Sequence, residues 1–133
     1  VSLFYALVNV ETGAVTWVNA GHNPPLHYNS KENHLQRLRR SGMVLGIDPD
    51  AAFEQHKLVL NPGDFLLLYT DGLVDAINAQ EEEFGMLRLE QLIQQHHGET
   101  AEEIVNRLEK AVEEHSGSIT PFDDVTILMV KRK

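Results

Sequence analysis

The 133-residue chain contains no cysteine, no long hydrophobic run and few basic side chains, with 11 Lys and Arg against 20 Asp and Glu. Without cysteine, a disulfide framework, a thiolate zinc site and a cysteine nucleophile are all excluded. The apolar runs are far shorter than the ~20 residues of a membrane span. No charged segment followed by an apolar one marks the start of the chain for export. These absences favour a cytoplasmic protein that is not associated with a membrane.

The formal net charge of −9 would repel nucleic-acid phosphates, so we do not expect the chain to bind DNA or RNA. The basic side chains cluster at Arg37, Arg39 and Arg40 and at the end of the chain, residues 131–133. We interpret these clusters as solvated charge at strand ends. The excess of carboxylates suits divalent-cation binding, and a length of 133 residues predicts a single domain over residues 1–133.

Strand-like segments come first in the chain, and two helix-like segments follow before a last strand. Glu11-Thr12-Gly13 predicts a hairpin loop, and Asn61-Pro62-Gly63-Asp64 predicts a type II turn that joins the flanking strands as a second hairpin. Periodic apolar residues predict one helix over residues 86–97 and another that begins at a capping box, Thr100 to Glu103. The predicted strands cover residues 2–10, 14–20, 26–28, 35–38, 53–60, 65–70 and 123–130. This order implies an α+β fold with its helix pair in the C-terminal half.

Two acidic sites adjoin apolar runs and are the strongest functional signal in the sequence. The run Leu66 to Thr70 ends abruptly at Asp71-Gly72, and Asp123-Asp124 opens the run that closes the chain. Carboxylates on rigid elements are the ligands that hard divalent cations prefer. If the two sites meet in space, they form half of a metal site.

Other interpretations of these residues stay open at this point. Asp71 could be an ordinary Asp-Gly turn residue, and Asp123 a charge at a strand edge. Asp124 could orient a ligand or simply face solvent. Asp75 could contact a cation, although a carboxylate at a helix start is the simpler interpretation. His22 could contact a phosphate, although an imidazole that holds its own loop explains it as well.

Six short motifs follow one another over nearly the whole chain. They are Val18-Asn19-Ala20-Gly21-His22-Asn23-Pro24-Pro25, Leu45-Gly46-Ile47, Pro62-Gly63-Asp64, Leu66 to Gly72, Phe84-Gly85 and Asp123-Asp124-Val125-Thr126. In their content and order they resemble the motifs of the metal-dependent protein phosphatase (PPM) superfamily, and in particular those of its bacterial SpoIIE-like branch.

The resemblance implies a sandwich of two antiparallel sheets flanked by helices. It also implies a serine/threonine phosphatase that hydrolyses phosphoserine and phosphothreonine with two Mn²⁺ or Mg²⁺ ions. Asp71 and Asp123 match the family's metal ligands in the C-terminal half of the domain. Gly72 and Asp124 match positions that support the site. No residue of this chain is assigned to catalysis or to substrate binding.

The family's upstream acidic residue and its Asp-x-x-Gly-His-Gly-type segment have no match in these 133 residues. We therefore expect the chain to be the C-terminal part of a phosphatase domain and to hold half of its site. The implied substrate is a regulatory phosphoprotein in bacterial signal transduction, such as an anti-sigma-factor antagonist. A non-catalytic protein-interaction module derived from this fold is the alternative. Exposed strand edges in such a part could also support a dimer.

Overall fold

The computed structural model describes residues 1–133 and contains seven strands and three helices. Antiparallel sheets and helices together confirm the predicted α+β class. The chain divides into two compact units, one formed by residues 1–66 with 132–133 and the other by residues 67–131. The elements are β1 (Leu3–Val8), β2 (Ala14–Ala20), β3 (Leu26–Asn29), β4 (His34–Arg37), β5 (His56–Val59), β6 (Phe65–Tyr69), α1 (Asp71–Val74), α2 (Gly85–His96), α3 (Ala101–Ser116) and β7 (Ile127–Lys131).

The first unit contains a three-stranded sheet in the order β1-β2-β5. The predicted opening hairpin is confirmed, since β1 and β2 are antiparallel and the Gly13 amide donates to the Asn9 carbonyl at 2.8 Å. Side chains alternate across the sheet, so that Val15 and Trp17 are buried. Tyr5 and Leu7 of β1 are exposed.

The predicted second hairpin is wrong, because β5 pairs with β2 and not with β6. Its turn is nevertheless of the predicted kind. The Asp64 amide donates to the Asn61 carbonyl at 2.9 Å, and Gly63 has the positive φ of 91° that a type II turn requires. The turn therefore joins strands of two different sheets. In the second sheet, β3 has β4 on one side and the start of β6 on the other, where the rings of Tyr28 and Phe65 stack at 5.0 Å.

The second unit contains the end of β6, all three helices and β7. The capping box is confirmed: the Glu103 amide donates to the Thr100 hydroxyl at 3.2 Å, and the Thr100 amide donates to the Glu103 carboxylate at 2.8 Å. α3 then buries Ile104, Leu108 and Val112 along one face. None of the helices combines the length and apolarity that crossing a membrane requires.

Candidate metal centre

Thr70 joins the two acidic segments of the second unit. Its amide donates to the Thr126 carbonyl at 3.1 Å, and its hydroxyl accepts from the Thr126 amide at 2.9 Å. The same hydroxyl donates to the Asp124 carbonyl at 3.0 Å. Asp71 follows Thr70 directly, so its segment lies beside Asp123 and Asp124. Sequence reasoning did not single out Thr70, although a hydroxyl residue between a buried strand and Asp-Gly is the signal that could have found it.

The last strand starts later than the sequence predicts, at Ile127 instead of Asp123. The Thr70 hydroxyl explains the difference, because it bonds to backbone groups of residues 124 and 126 that a strand ladder would otherwise use. Asp123 therefore lies in a loop held by a side chain, four residues before the strand begins.

Gly72 allows a close backbone approach between α1 and this loop. An added Cβ at Gly72 would lie 2.9 Å from the carbonyl carbon of Asp124 and 3.0 Å from the carbonyl oxygen of Asp123. Both are backbone atoms that cannot rotate away. Gly72 is buried and has no positive φ, so the position requires space and not an unusual conformation.

The surroundings of Asp75 raise its pKa, although the residue is exposed. Partial desolvation is the largest cause, and the negative charges of Asp71, Glu83 and Asp123 raise the pKa further. Asp75 therefore lies within electrostatic range of both predicted metal ligands. Asp75 lies at the end of α1, where its amide donates to the Asp71 carbonyl at 2.9 Å, so the interpretation as a helix-start carboxylate is wrong.

The residues present fit part of the ligand set of a hard divalent cation. A cavity of about 210 Å³ is lined by Gly72, Asp75 and Asp123 together with Ala76, Pro121 and Phe122. Its potential ligands are carboxylate oxygens, which Mg²⁺ and Mn²⁺ prefer, and the Asp71 and Asp123 side chains are exposed. No group of three or more Asp, Glu, His or Cys side chains is arranged to hold a metal ion.

The other two candidate residues, Asp124 and His22, form contacts of their own. Asp124 contacts Thr70 through its backbone carbonyl, and its side chain is exposed. His22 belongs to the first unit, where its amide donates to the Asn19 side chain at 2.9 Å and its Nδ1 lies 3.4 Å from the Ser2 hydroxyl. The backbone of His22, and not its imidazole, therefore bonds to Asn19, and the imidazole contacts Ser2 near the start of the chain.

Comparison with known proteins identifies the family. Residues 1–133 match the model of the family described as Stage II sporulation protein E (SpoIIE). The chain is 32% identical over 131 residues to Protein IcfG of Synechocystis, and 30% identical over 136 residues to Phosphoserine phosphatase RsbU of Bacillus subtilis. Among solved structures, the SiaA-PP2C domain of Pseudomonas aeruginosa superposes with a TM-score of 0.83 at 20% identity, which shows the shared fold.

These matches cover nearly all of this chain but only part of each relative. The alignment covers 98% of the chain and 20% of IcfG, and 100% of the chain and 39% of RsbU. For the SiaA domain the shares are 99% and 52%. The family match over all 133 residues and the shared fold establish that this chain belongs to the SpoIIE family and has a SpoIIE-like PPM phosphatase fold.

Proposed function

We propose that this chain is the C-terminal part of a phosphatase domain that removes phosphate from serine or threonine of a regulatory protein. Asp71 and Asp123 would bind the divalent cations of that domain, which are two Mn²⁺ or Mg²⁺ ions. Gly72 and Asp124 would keep the two aspartates in place. One observation carries the assignment: Thr70 ties the Asp71 segment to the Asp123–Asp124 loop through three hydrogen bonds.

The chain's own residues provide positioning and negative charge. β6 ends at Tyr69, and Thr70 fixes the next residue, Asp71, against the loop that carries Asp123. Asp75 adds a carboxyl group whose pKa is raised by desolvation first and then by the negative charges of Asp71, Glu83 and Asp123. Two bound cations would acidify a water molecule and neutralise charge on phosphoryl oxygens. One solved phosphatase domain of the family, that of SpoIIE from B. subtilis, was presoaked with Mn.

The relatives support the view that the remaining ligands lie outside these residues. The chain spans a fifth of IcfG, about two-fifths of RsbU and about half of the SiaA domain. In the domain proposed here, an upstream segment of the Asp-x-x-Gly-His-Gly type would complete the ligand set. On its own, the 133-residue chain would then be inactive or nearly so.

The name of one relative supports phosphoserine as the substrate group, since RsbU is named a phosphoserine phosphatase. A regulatory phosphoprotein, such as an anti-sigma-factor antagonist, is the substrate that the family resemblance implies, and we propose it for this chain. The net charge of −9 does not favour a nucleic-acid substrate.

Hydrolysis of p-nitrophenyl phosphate by the natural protein that carries this chain tests the proposal. We expect hydrolysis that requires Mn²⁺ and that falls at least about a hundredfold in Asp71→Asn and in Asp123→Asn, because each variant removes a charged ligand but keeps the side-chain volume. Asp50→Asn is the matched control, since Asp50 is an exposed loop carboxylate of the first unit.

The outcomes separate the phosphatase from the interaction module. Activity that is lost in both site variants and kept in Asp50→Asn supports the assignment. Unchanged Mn²⁺-dependent turnover in either site variant would overturn the ligand roles. A folded natural protein without Mn²⁺-dependent activity would favour the non-catalytic module, with Asp71 and Asp123 as remnants of a lost site.

A further inference from the structure

The first unit contains a basic groove formed by residues other than those of the candidate metal centre. Its cavity measures about 600 Å³, which is within the roughly 300–1,000 Å³ typical of ligand pockets. The groove runs between β4 with the residues that follow it and the side chains of Trp17 and His56. Its basic lining residues are His34, Arg37, Arg39, Arg40 and His56.

Positive charge dominates this groove although the chain as a whole is strongly acidic. Glu54 is the one carboxylate of the lining, and it lies 3.7 Å from His56. Arg39 and Arg40 are exposed, and neither side chain forms an ion pair within the chain. Their interpretation as plain solvated strand-end charge leaves their position in a concave site unexplained. Two unpaired guanidinium groups in a concave surface are available to an anionic ligand.

The aromatic side of the groove is rigid. Trp17 is 7% exposed and stacks on His56, with 4.5 Å between ring centroids and 25° between ring planes. The ring of Phe4 stacks against Trp17 at 5.7 Å. Trp17 and His56 face each other in the antiparallel register of β2 and β5, so the sheet itself fixes their positions. A fixed aromatic surface beside arginines is typical of protein-binding hot spots.

We propose that this groove docks an acidic segment, rich in Asp and Glu, of a partner protein. Arginine is suited to this role because its planar fork binds a carboxylate through two parallel hydrogen bonds. The partner is a peptide segment and not a nucleic acid. The net charge of −9 repels a long polyanion, whereas a short acidic segment contacts only the local positive charge of the groove. The proposal goes beyond phosphoester hydrolysis and does not depend on it.

Intrinsic fluorescence provides a direct assay, because Trp17 is the sole tryptophan of the chain and lines the groove. A hexaglutamate peptide titrated into the 133-residue protein should change the Trp17 emission saturably. We expect Arg39→Glu/Arg40→Glu to weaken binding at least about tenfold, because it removes two charge-assisted contacts and introduces like charges. Lys31→Glu/Lys57→Glu is the matched control, since both lysines are exposed outside the groove and the net charge changes equally.

Parallel titrations with other anions and with a lysine variant test which ligand the groove prefers and whether the arginine fork is needed. Inorganic phosphate and a single-stranded oligonucleotide are titrated in parallel, and circular dichroism checks that each variant is folded. Arg39→Lys/Arg40→Lys keeps the charge but removes the fork, so it should bind with intermediate affinity. This variant also tests the groove if the glutamate variant does not fold.

The expected pattern is binding of hexaglutamate by the wild type and the lysine control, with loss in Arg39→Glu/Arg40→Glu. The proposal is overturned if hexaglutamate does not bind, or if the groove variant and the control weaken it equally. It is also overturned if phosphate or the oligonucleotide binds and hexaglutamate does not. Since the assay needs neither metal nor turnover, its failure is distinguishable from failure of the phosphatase assignment.

Discussion

Replacing Gly72 by alanine should destabilise the second unit and disturb the metal centre together. The added Cβ would lie 2.9 Å and 3.0 Å from backbone atoms of Asp124 and Asp123, so either α1 or the loop must move. Forced movement of this kind costs about 1–3 kcal/mol in well-packed sites. Since 1 kcal/mol corresponds to roughly 3–5 °C in Tm for a chain of this size, we expect Tm to fall by about 3–15 °C. The displaced segments carry Asp71 and Asp123, so Mn²⁺ affinity in the natural protein that carries this chain should fall as well.

Thermal unfolding followed by circular dichroism measures the stability effect, and Gly98→Ala is the matched control. Gly98 is exposed, has no positive φ, and a Cβ built on it meets no atom within 4 Å. We expect Gly98→Ala to be neutral or to stabilise the protein by about 0.4–1 kcal/mol. If Gly72→Ala melts at the same temperature as Gly98→Ala, then the close approach of α1 to the loop is not a constraint, and the reasoning is refuted.

Three further predictions concern stability. Thr100→Ala removes the cap of α3 and should lower the free energy of unfolding by about 1 kcal/mol in urea titrations. Lys131→Met removes the two hydrogen bonds from its ammonium to the carbonyls of His97 and Glu99, and should cost about 1–3 kcal/mol in the same assay. Burial lowers the pKa of His27, although the nearby carboxylate of Asp64 acts in the opposite direction. The His27 imidazole therefore binds a proton more readily in the unfolded chain than in the folded protein. As pH drops below about 6.5, the free energy of unfolding should fall, and His27→Gln should reduce this fall.

A control variant or a refuting result accompanies each of these predictions. Thr120→Ala replaces an exposed threonine outside the helices and should change stability by less than about 0.5 kcal/mol. Lys133→Met removes the same charge as Lys131→Met, but at an exposed residue. Equal losses of unfolding free energy in the two variants would show that charge alone is responsible. If the wild type and His27→Gln have parallel pH profiles between pH 5 and 8, the buried imidazole does not contribute.

Local chemistry made much of the fold predictable from the sequence. The capping box at Thr100 requires only the four residues that form it, and the turn at Gly63 requires a glycine where φ is positive. The opening hairpin followed from two apolar runs separated by a short loop. In each case the residues that determine the structure are neighbours in the chain, so the sequence pattern was sufficient.

Strand pairing across the chain was not predictable in the same way. Alternation in residues 56–59 distinguishes a partly covered face from an exposed one, but it is the same whichever strand lies alongside. The turn at residues 61–64 is compatible with a hairpin and also with a change of sheet, and the structure has the change. The start of β7 depends on the hydroxyl of Thr70, which is more than fifty residues away in sequence.

The candidate site was predictable in its residues but not in its connections. The Asp-Gly and Asp-Asp motifs drew attention to Asp71 and Asp123 because they place carboxylates beside apolar runs, on the rigid elements where hard divalent cations are bound. Neither motif shows that Thr70 bridges the two segments, or that Asp75 shares their negative potential. Such relations arise only when distant segments fold against each other.

Counting the Mn²⁺ ions bound by the natural protein that carries this chain tests the central claim most directly. Isothermal titration should give two ions for the wild type and for Asp50→Asn, which retains every proposed ligand. Asp71→Asn/Asp123→Asn should bind fewer ions, or bind them at least about a hundredfold more weakly, because two charged oxygen ligands are lost. Unchanged stoichiometry and affinity in the double variant would contradict the account, since the metal would then be held by other residues.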